Sequence, residues 1–291
     1  MHNHSHHHHT ASDRLGFAFF LNFTFTIIEF VGGILTNSTA ILADAVHDLG
    51  DTLSIGLAWL LGKFSQKAAN DNFTYGYRRF SLLGALFNGS ILLVGSLWIL
   101  WEAVPRLFEP EMPHAEGMFF LAILGIVVNG YAAYKLSKGK TLNERIINLH
   151  LLEDVLGWVA VLIVSIVLLF VNWPILDPIL SILFTLYILI NVIKNTISTV
   201  NLFLQGAPDD TTRSNVLEKL NAIDHIVNVH HLHLWSLDGE HHVLTAHLVL
   251  DLPLEMELQN KIKKQVEDCL KPYEFSHTTI EIEQADEVCR H

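Results

Sequence analysis

Long apolar runs constrain this chain more than any other feature of its sequence. Six stretches each approach the roughly 20 residues that an α-helix needs to cross a bilayer. They lie at 15–36, 38–62, 80–104, 118–136, 146–171 and 175–203. Only 16% of the residues are charged, against roughly 25% in an average soluble domain. The sequence therefore predicts a polytopic α-helical membrane protein with six transmembrane helices.

The basic residues of the loops predict the orientation of these helices. Two connections, second to third and fourth to fifth, carry the following Lys and Arg residues: Lys63, Lys67, Arg78, Arg79, Lys135, Lys138, Lys140 and Arg145. The loops on the opposite side hold only Arg106 among several glutamates. By the positive-inside rule, both termini are cytoplasmic. The compactness of the chain favours a bacterial inner (plasma) membrane, with an organelle membrane as the alternative.

Residues 206–291 have the composition of a soluble, acidic domain. They contain seven Lys or Arg against sixteen Asp or Glu, which disfavours nucleic acid as a partner. Helical periodicity at 211–223 and 255–270 and alternation at 226–236, 242–251 and 278–283 give the order α-β-β-α-β, with a hairpin turn at Asp238-Gly239. This order predicts a cytoplasmic, truncated ferredoxin-like α+β domain. The transmembrane domain is expected at 15–205.

Residues 1–14 precede the first apolar run. Six of the residues 1–9 are histidines. Asn3 and Ser5 interrupt the histidines, which favours a native, metal-collecting cytoplasmic tail over a purification tag.

Two polar pairs interrupt the second and fifth apolar segments. His47 and Asp51 are four residues apart, as are His150 and Asp154, so each pair projects from one face of a helix. Ionisable side chains at membrane depth are costly and usually mark a pathway or a site. Helix packing through hydrogen bonds is the simpler alternative, but it does not require the same two residue types at the same spacing twice. The four side chains predict a tetrahedral site for a divalent metal.

The composition of this ligand set favours Zn²⁺. Two imidazole nitrogens and two carboxylate oxygens suit Zn²⁺ and tolerate Co²⁺ or Cd²⁺, whereas Mg²⁺ and Ca²⁺ prefer more oxygen ligands. Because imidazole binds metal only when it is neutral, protons compete with the metal. Asp44 and Asn88 are candidates to orient the ligands, and interhelical hydrogen bonding explains them about as well. If the fifth helix starts near residue 141, the two His-x-x-x-Asp pairs lie at the same depth in the membrane.

These residues resemble those of the cation diffusion facilitator family, in its zinc-exporting branch. The resemblance rests on the six segments, both His-x-x-x-Asp pairs, the α-β-β-α-β tail, the run NFTYGYRR at 72–79, and Asp177-Pro178 near the start of the sixth segment. It implies a homodimer whose helices rock between inward- and outward-facing states and exchange Zn²⁺ for H⁺. It also implies that His47, Asp51, His150 and Asp154 are the transport ligands.

The resemblance also covers the cytoplasmic domain, but the loop before the third helix departs from the family pattern. Some family members have additional histidines in the loop before the third helix, but Phe73 and Tyr77 occupy those places here, so no additional site is predicted there. In the cytoplasmic domain the resemblance implies a regulatory Zn²⁺ bound by strand histidines and an acidic residue of the last strand. The candidates are His233, His247 and Glu283, with Glu281 and His277 as weaker ones. Ordinary surface histidines are the alternative.

The combined prediction is a proton-coupled antiporter, not an enzyme, that exports Zn²⁺ from the cytoplasm. The nearest alternative keeps the fold and exports Co²⁺, Cd²⁺, Ni²⁺, Fe²⁺ or Mn²⁺. An intramembrane metalloenzyme would use the same four residues, but catalytic zinc commonly has three protein ligands and an open position. A membrane metal sensor that binds zinc without moving it is the third alternative.

Overall fold

The computed structural model describes residues 8–136, 142–208, 210–251, 256–273, 275–285, 287 and 289. Six long helices precede the C-terminal part: α1 (His8–Thr36), α2 (Thr39–Ser65), α3 (Phe80–Ala103), α4 (Ala115–Leu136), α5 (Leu142–Phe170) and α6 (Leu176–Phe203). Half of the predicted histidine-rich tail, residues 1–7, lies outside the described residues, as do the predicted loop lysines Lys138 and Lys140. Helix α5 begins at Leu142, the early start that brings the two His-x-x-x-Asp pairs level.

Five of these helices are long and apolar enough to cross a membrane, within the described part of the chain. The qualifying spans are Phe19–Thr36, Phe80–Leu107, Ala115–Lys135, Asn148–Phe170 and Leu176–Phe203. Helix α2 has 27 residues, a sufficient length, but Asp44, Asp48 and Asp51 lower its hydropathy. The structure therefore gives five apolar spans where the sequence predicted six.

Most of the length of these helices belongs to the first of two compact units, which comprises residues 1–60 and 87–196. The core of this unit contains Phe25 of α1, Ile41 of α2, Met118 of α4 and Trp158 of α5. Helices α4 and α5 approach closely because Gly125 has no side chain: a Cβ atom there would lie 2.2 Å from the indole ring of Trp158. A small residue at a helix crossing is the usual means of close packing in membranes.

A buried carboxylate fixes the start of α2. Asp177 at the beginning of α6 is 1% exposed, and it accepts hydrogen bonds from the Ser38 hydroxyl (2.5 Å), from the Thr39 amide and hydroxyl (2.7 and 2.9 Å) and from the Ala40 amide (3.3 Å). The Ser38 hydroxyl oxygen in turn accepts a hydrogen bond from the Ile41 amide. The amide groups that the first turn of a helix leaves unpaired are thus satisfied by a neighbouring helix rather than by water.

The second compact unit comprises residues 61–86 and 197–291. Its C-terminal elements are α7 (Asp210–Asn221), β1 (Ile226–Ser236), β2 (His242–Leu250), α8 (Met256–Leu270) and β3 (His277–Gln284). Strands β1 and β2 are antiparallel, whereas β2 and β3 are parallel, which gives a mixed sheet of order β1-β2-β3. The order of elements agrees with the α-β-β-α-β prediction.

Apolar residues from both helices and all three strands form the core of this C-terminal part. Helix α8 buries Ile262, Val266 and Leu270, which are four residues apart and so share one face. They pack with Leu244 and Leu248 of the central strand. A parallel pair of strands needs a crossover connection, and α8 is that connection.

The loop between α2 and α3 packs on this sheet within the same unit. The ring of Tyr75 contacts the rings of Trp235 and His277 edge-on, with centroids 6.3 and 5.1 Å apart. The Arg78 guanidinium lies 3.7 Å from the Asp238 carboxylate. Gly76, at φ +77°, lets the loop turn where another residue would be strained. The family-like run 72–79 is therefore part of the surface that covers the sheet.

Asp177→Ala should lower the stability of the protein, because it leaves the buried donors of Ser38, Thr39 and Ala40 without an acceptor. We expect a loss of about 2 kcal/mol or more, the range for a helix cap with charged hydrogen bonds. The measurement is the melting temperature in detergent. Glu109→Ala, at an exposed site, is the control and should leave that temperature unchanged; an equal temperature for both variants would contradict the role given to Asp177.

Candidate metal centre

Helices α2 and α5 bring the four predicted ligands together. The Nε2 atom of His150 lies 2.5 Å from an oxygen of Asp51, which joins the two helices directly. The Nε2 atom of His47 lies 3.7 Å from the same Asp51 oxygen and 3.9 Å from an oxygen of Asp154. Asp154 is also 4.0 Å from His150 Nε2. Both imidazoles thus direct the same ring nitrogen at both carboxylates.

The spacing of these atoms fits one divalent cation. One ligand atom each from His47, Asp51 and His150 lies within 4.8 Å of the others, and Asp154 stands within reach of both histidines. Metal–ligand distances of about 2.0–2.2 Å place tetrahedral ligand atoms about 3.3–3.6 Å apart. A cation between the four groups needs only small side-chain movements. Asp154 is 3% exposed, whereas the other three side chains are 25–31% exposed, so the site is reached from the side of the histidines and Asp51.

Three further acidic side chains surround this centre. Glu29 of α1 and Asp48 of α2 are 0% and 1% exposed, and Asp44 is 6% exposed. Neither carboxyl oxygen of Glu29 or of Asp48 makes a hydrogen bond within the described part of the chain. Burying so many acidic groups is tolerable only when a cation or a bound proton neutralises them. These groups therefore require a nearby cation or a bound proton.

The sequence predicted no role for Asp48. For Asn88 it left two alternatives, orienting the ligands or hydrogen bonding between helices. Asp48 follows His47 directly and lies four residues after Asp44, the same helical spacing that drew attention to the His-x-x-x-Asp pairs. Asn88 donates a hydrogen bond to Ser54 across α2 and α3, at 2.6 Å. The structure thus gives Asn88 a role in helix packing, which is the interhelical hydrogen bonding that was one of the two alternatives for this residue.

The C-terminal sheet holds a second group of potential ligands. His247 and Glu283, both predicted, lie together: His247 Nδ1 is 2.6 Å from Glu283 Oε1. His230 and Cys289 complete this group, and one ligand atom from each of the four lies within 4.8 Å of the others. His233, the third predicted ligand, is not a member. Of the weaker candidates, Glu281 approaches the other ring nitrogen of His247 at 3.6 Å, and His277 packs against Tyr75.

A β-bulge explains why His230 takes the place expected for His233. The register of β1 against β2 shifts between His230 and His233, so that His230 pairs with His247 and His233 pairs with Thr245. His231 has φ +46° at this point, which marks the extra residue. The hairpin turn held a signal for this pairing, since His230 and His247 lie eight residues on either side of Asp238-Gly239. No comparable signal identified Cys289.

Glu283 is held as a carboxylate. Burial raises the pKa of this carboxyl, but the hydrogen bond with His247 and the charges of His230 and His247 outweigh burial and leave the pKa below its usual value. A carboxyl group must be ionised to bind a metal. The surroundings of Glu283 therefore favour the form that a metal ligand requires.

Comparisons with known proteins cover both the helical part and the C-terminal part of the chain. Residues 15–204 match the family model "Cation efflux transmembrane domain", and residues 208–285 match "Cation efflux protein, cytoplasmic domain". The chain is 34% identical to the "Cadmium, cobalt and zinc/H(+)-K(+) antiporter" of Bacillus subtilis, over 89% of this chain and 85% of the relative. It is 34% identical to the "Metal cation efflux system protein CzcD" of Cupriavidus metallidurans, over 97% and 90% of the two chains. It is 35% identical to the "Zinc transporter ZitB" of Yersinia pseudotuberculosis, over 94% and 88%.

Asp51→Ala and Asp154→Ala should each weaken metal binding between α2 and α5, because each variant lacks one of the two candidate carboxylate ligands. We expect the affinity of this site to fall by at least about 10–100-fold, the loss that follows even when an outer partner of a ligand is removed. Calorimetric titration with Zn²⁺ in detergent measures it.

Asp71→Ala is the matched control, since Asp71 is exposed in the loop before α3. It should bind Zn²⁺ as the wild type does. An unchanged titration in Asp51→Ala would show that the metal does not bind at this centre.

Proposed function

The chain belongs to the cation efflux family, also called the cation diffusion facilitators, and from this membership we propose that it exports Zn²⁺ from the cytoplasm in exchange for H⁺. One observation carries the proposal: His47, Asp51, His150 and Asp154 converge from two helices on one point. The family comprises transporters rather than enzymes. Zn²⁺ is the substrate in this proposal, and the four side chains are its ligands during transport.

The donor atoms support Zn²⁺ as the substrate. Two nitrogens and two oxygens suit a cation of borderline softness in tetrahedral geometry. The names of the relatives include zinc in two cases and cadmium and cobalt in one. The same donors accept Co²⁺ and Cd²⁺, so export of these ions, or of Ni²⁺, Fe²⁺ or Mn²⁺, by the same fold is the second candidate function.

Proton exchange follows from the chemistry of the same site. His150 Nε2 and the Asp51 carboxylate lie within hydrogen-bond distance, and the hydrogen between them must leave before either atom can bind a metal. Metal and proton therefore exclude one another at this contact. A site that opens alternately to each side of the membrane then loads metal on the cytoplasmic side and releases it outside when protons return. The antiporter name of the Bacillus subtilis relative agrees with this scheme.

The proposal includes six membrane spans, with α2 as the sixth. Charged residues within a membrane helix face the interior of the bundle, and the burial of Asp44 and Asp48 supports this arrangement for α2. By the positive-inside rule, the basic residues of the loops between α2 and α3 and between α4 and α5 support cytoplasmic termini. We assign the chain to the inner (plasma) membrane.

The C-terminal domain, residues 206–291, is proposed to join two copies of the chain into a homodimer. Its α-β-β-α-β order is that of a ferredoxin-like domain without the first strand. Zn²⁺ bound by strand histidines and Glu283 would stabilise one arrangement of the dimer, because a ligand favours the state that it binds more tightly. Residues 1–14 are proposed as a tail that collects metal.

The test is zinc flux into proteoliposomes with an imposed pH gradient. The wild type and Asp71→Ala should move Zn²⁺ in a direction set by the gradient, and they should stop when the gradient is dissipated. Asp51→Ala and Asp154→Ala should show no flux above protein-free vesicles, because each variant lacks a ligand that binds both metal and proton.

Two outcomes would contradict this function. Binding of Zn²⁺ at the four residues without flux in the wild type would indicate a metal sensor or a metalloenzyme. Zinc flux that does not depend on the pH gradient would support a transporter but would exclude the proton as the exchanged ion.

A further inference from the structure

We propose that a cavity between the α2–α3 loop and the β1–β2 turn binds a phosphoethanolamine group, the zwitterionic headgroup of phosphatidylethanolamine. The cavity has a volume of about 630 Å³, within the range of roughly 300–1,000 Å³ that is usual for small-ligand sites. It lies in the second compact unit and shares no residue with the centre between α2 and α5. Its position at the cytoplasmic surface of the membrane rests on the topology proposed above.

The α2–α3 loop forms one wall of the cavity and supplies its positive charge. Lys67 and Arg78 both line the cavity from this side. The ammonium group of Lys67 lies 4.3 Å from the centre of the Phe64 ring and 6.0 Å from that of the Tyr77 ring, and it makes no ion pair within the described part of the chain. The ring contacts hold this ammonium group in place, but they leave its charge without an anion.

The turn between β1 and β2 forms a second wall and supplies negative charge. Asp238 and Glu240 line the cavity from this side. The Asp238 carboxylate accepts hydrogen bonds from the amides of Glu240 and His241, at 3.0 and 2.8 Å, and lies 2.8 Å from His241 Nδ1. Burial raises the pKa of this carboxyl, but these hydrogen bonds outweigh burial and leave the pKa below its usual value, so Asp238 is ionised. Glu240 is exposed and makes no ion pair among the described residues.

Arg78 and Asp238 meet where the two walls join, but they do not satisfy each other. The guanidinium nitrogen and the carboxylate oxygen are 3.7 Å apart, beyond the range of about 2.7–3.2 Å for a hydrogen bond. The guanidinium group makes no other ion pair within the described residues. A phosphoryl group suits an arginine with unused N–H donors, because its oxygens accept two parallel hydrogen bonds from the planar guanidinium.

The charges around the cavity favour a zwitterion as the ligand. Apart from two histidines, the ionisable side chains of the lining are two cations on the loop wall and two carboxylates on the turn wall. A phosphate alone is repelled by the carboxylates, and a cation alone is repelled by the lysine and the arginine. A ligand with both a phosphate and an ammonium group meets opposite charge on both walls. A primary ammonium also donates three hydrogen bonds, which carboxylates accept.

Tyr75 adds a preformed aromatic surface to the cavity. Its ring is held by the rings of Trp235 and His277, with centroids 6.3 and 5.1 Å away. An ammonium group next to such a ring gains a cation–π contact. Gly76 lets the loop fold back closely, since a Cβ atom there would lie only 3.4 Å from the Lys67 carbonyl oxygen. The loop wall is therefore formed before a ligand binds, which lowers the entropic cost of binding.

The position of the loop selects a lipid as the source of the headgroup. Helix α2 ends at Ser65 and α3 begins at Phe80, so the cavity lies where two proposed membrane spans leave the bilayer. Basic side chains at this level are attracted to lipid headgroups. In phosphatidylethanolamine the phosphate is attached to the glycerol, and the ammonium group lies farther from the acyl chains. This order matches a positive wall on the loop between two membrane helices and a negative wall on the turn of the cytoplasmic sheet.

The experiment is native mass spectrometry of the full-length, delipidated protein in detergent. The probes are dioctanoyl phosphatidylethanolamine, phosphatidylcholine and phosphatidylglycerol, each added separately. Phosphatidylethanolamine should bind at least about tenfold more tightly than the other two, because choline has no N–H donor and glycerol has no positive charge. Only phosphatidylethanolamine should slow hydrogen exchange at 65–81 and 236–241. Equal affinity for the three lipids, or tighter binding of phosphatidylglycerol, would overturn the proposal.

Glu240→Lys tests the charge of the turn wall. It should shift the preference from phosphatidylethanolamine to phosphatidylglycerol, whereas Glu218→Lys, the same change at an exposed site of α7, should keep the wild-type preference. Arg78→Gln should weaken binding of phosphatidylethanolamine at least about tenfold, and Lys261→Gln, exposed on α8, should not. An unchanged preference in Glu240→Lys, or the same shift in Glu218→Lys, would overturn the assignment.

Soluble O-phosphoethanolamine distinguishes the two sources of the headgroup. It should displace the lipid only at much higher concentrations, and an affinity equal to that of the lipid would overturn the membrane as the source. Asp51→Ala separates this inference from the proposed function, since it should lose zinc flux and bind phosphatidylethanolamine as the wild type does. A wild type that moves zinc but binds the three lipids equally would overturn the headgroup site alone.

Discussion

The contact between His150 of α5 and Asp51 of α2 is the interaction on which the membrane part depends. Ionisable groups at bilayer depth must be paired or neutralised, because the surroundings supply no water. In this chain the paired groups stand on two helices, so the same contact that satisfies their charge also fixes how α2 and α5 face one another. A metal or a proton that enters the contact necessarily acts on the packing of both helices.

Three buried acidic residues beside the candidate ligands also require neutralisation. Glu29, Asp44 and Asp48 are more deeply buried than His47 and Asp51, and carboxylates in such a place repel one another unless positive charge is present. Neutralisation by a cation or a bound proton therefore involves more residues than the four candidate ligands. Asp44, Asp48 and Asp51 make α2 the least apolar of the six helices, which explains why length and hydropathy together identify five spans and not six.

The two groups of potential metal ligands differ in their donor atoms and in their exposure. The group between α2 and α5 offers nitrogen and oxygen atoms on helices, and three of its four side chains are partly exposed. The group in the sheet includes the sulfur of Cys289. Labile oxygen and nitrogen ligands suit an ion in transit, whereas a thiolate retains zinc or cadmium. The loop before α3, which carries the family-like run and packs on the same sheet through Tyr75 and Arg78, lies within the same compact unit as this second centre.

Much of this protein was determined by sequence alone, because local patterns carry the relevant physics. Apolar length predicted the helices, alternation predicted the strands, and the repeated His-x-x-x-Asp spacing identified four side chains that the structure brings together, since residues four apart share a helix face in any context. Only the tertiary structure decided the rest. The β-bulge at His231 moved His230 into the place expected for His233, the turn after β3 brought Cys289 back to the strands, and Asp177 reached across from α6 to the first turn of α2. These contacts join residues that are far apart in the chain, and no local sequence pattern predicts which of them come into contact.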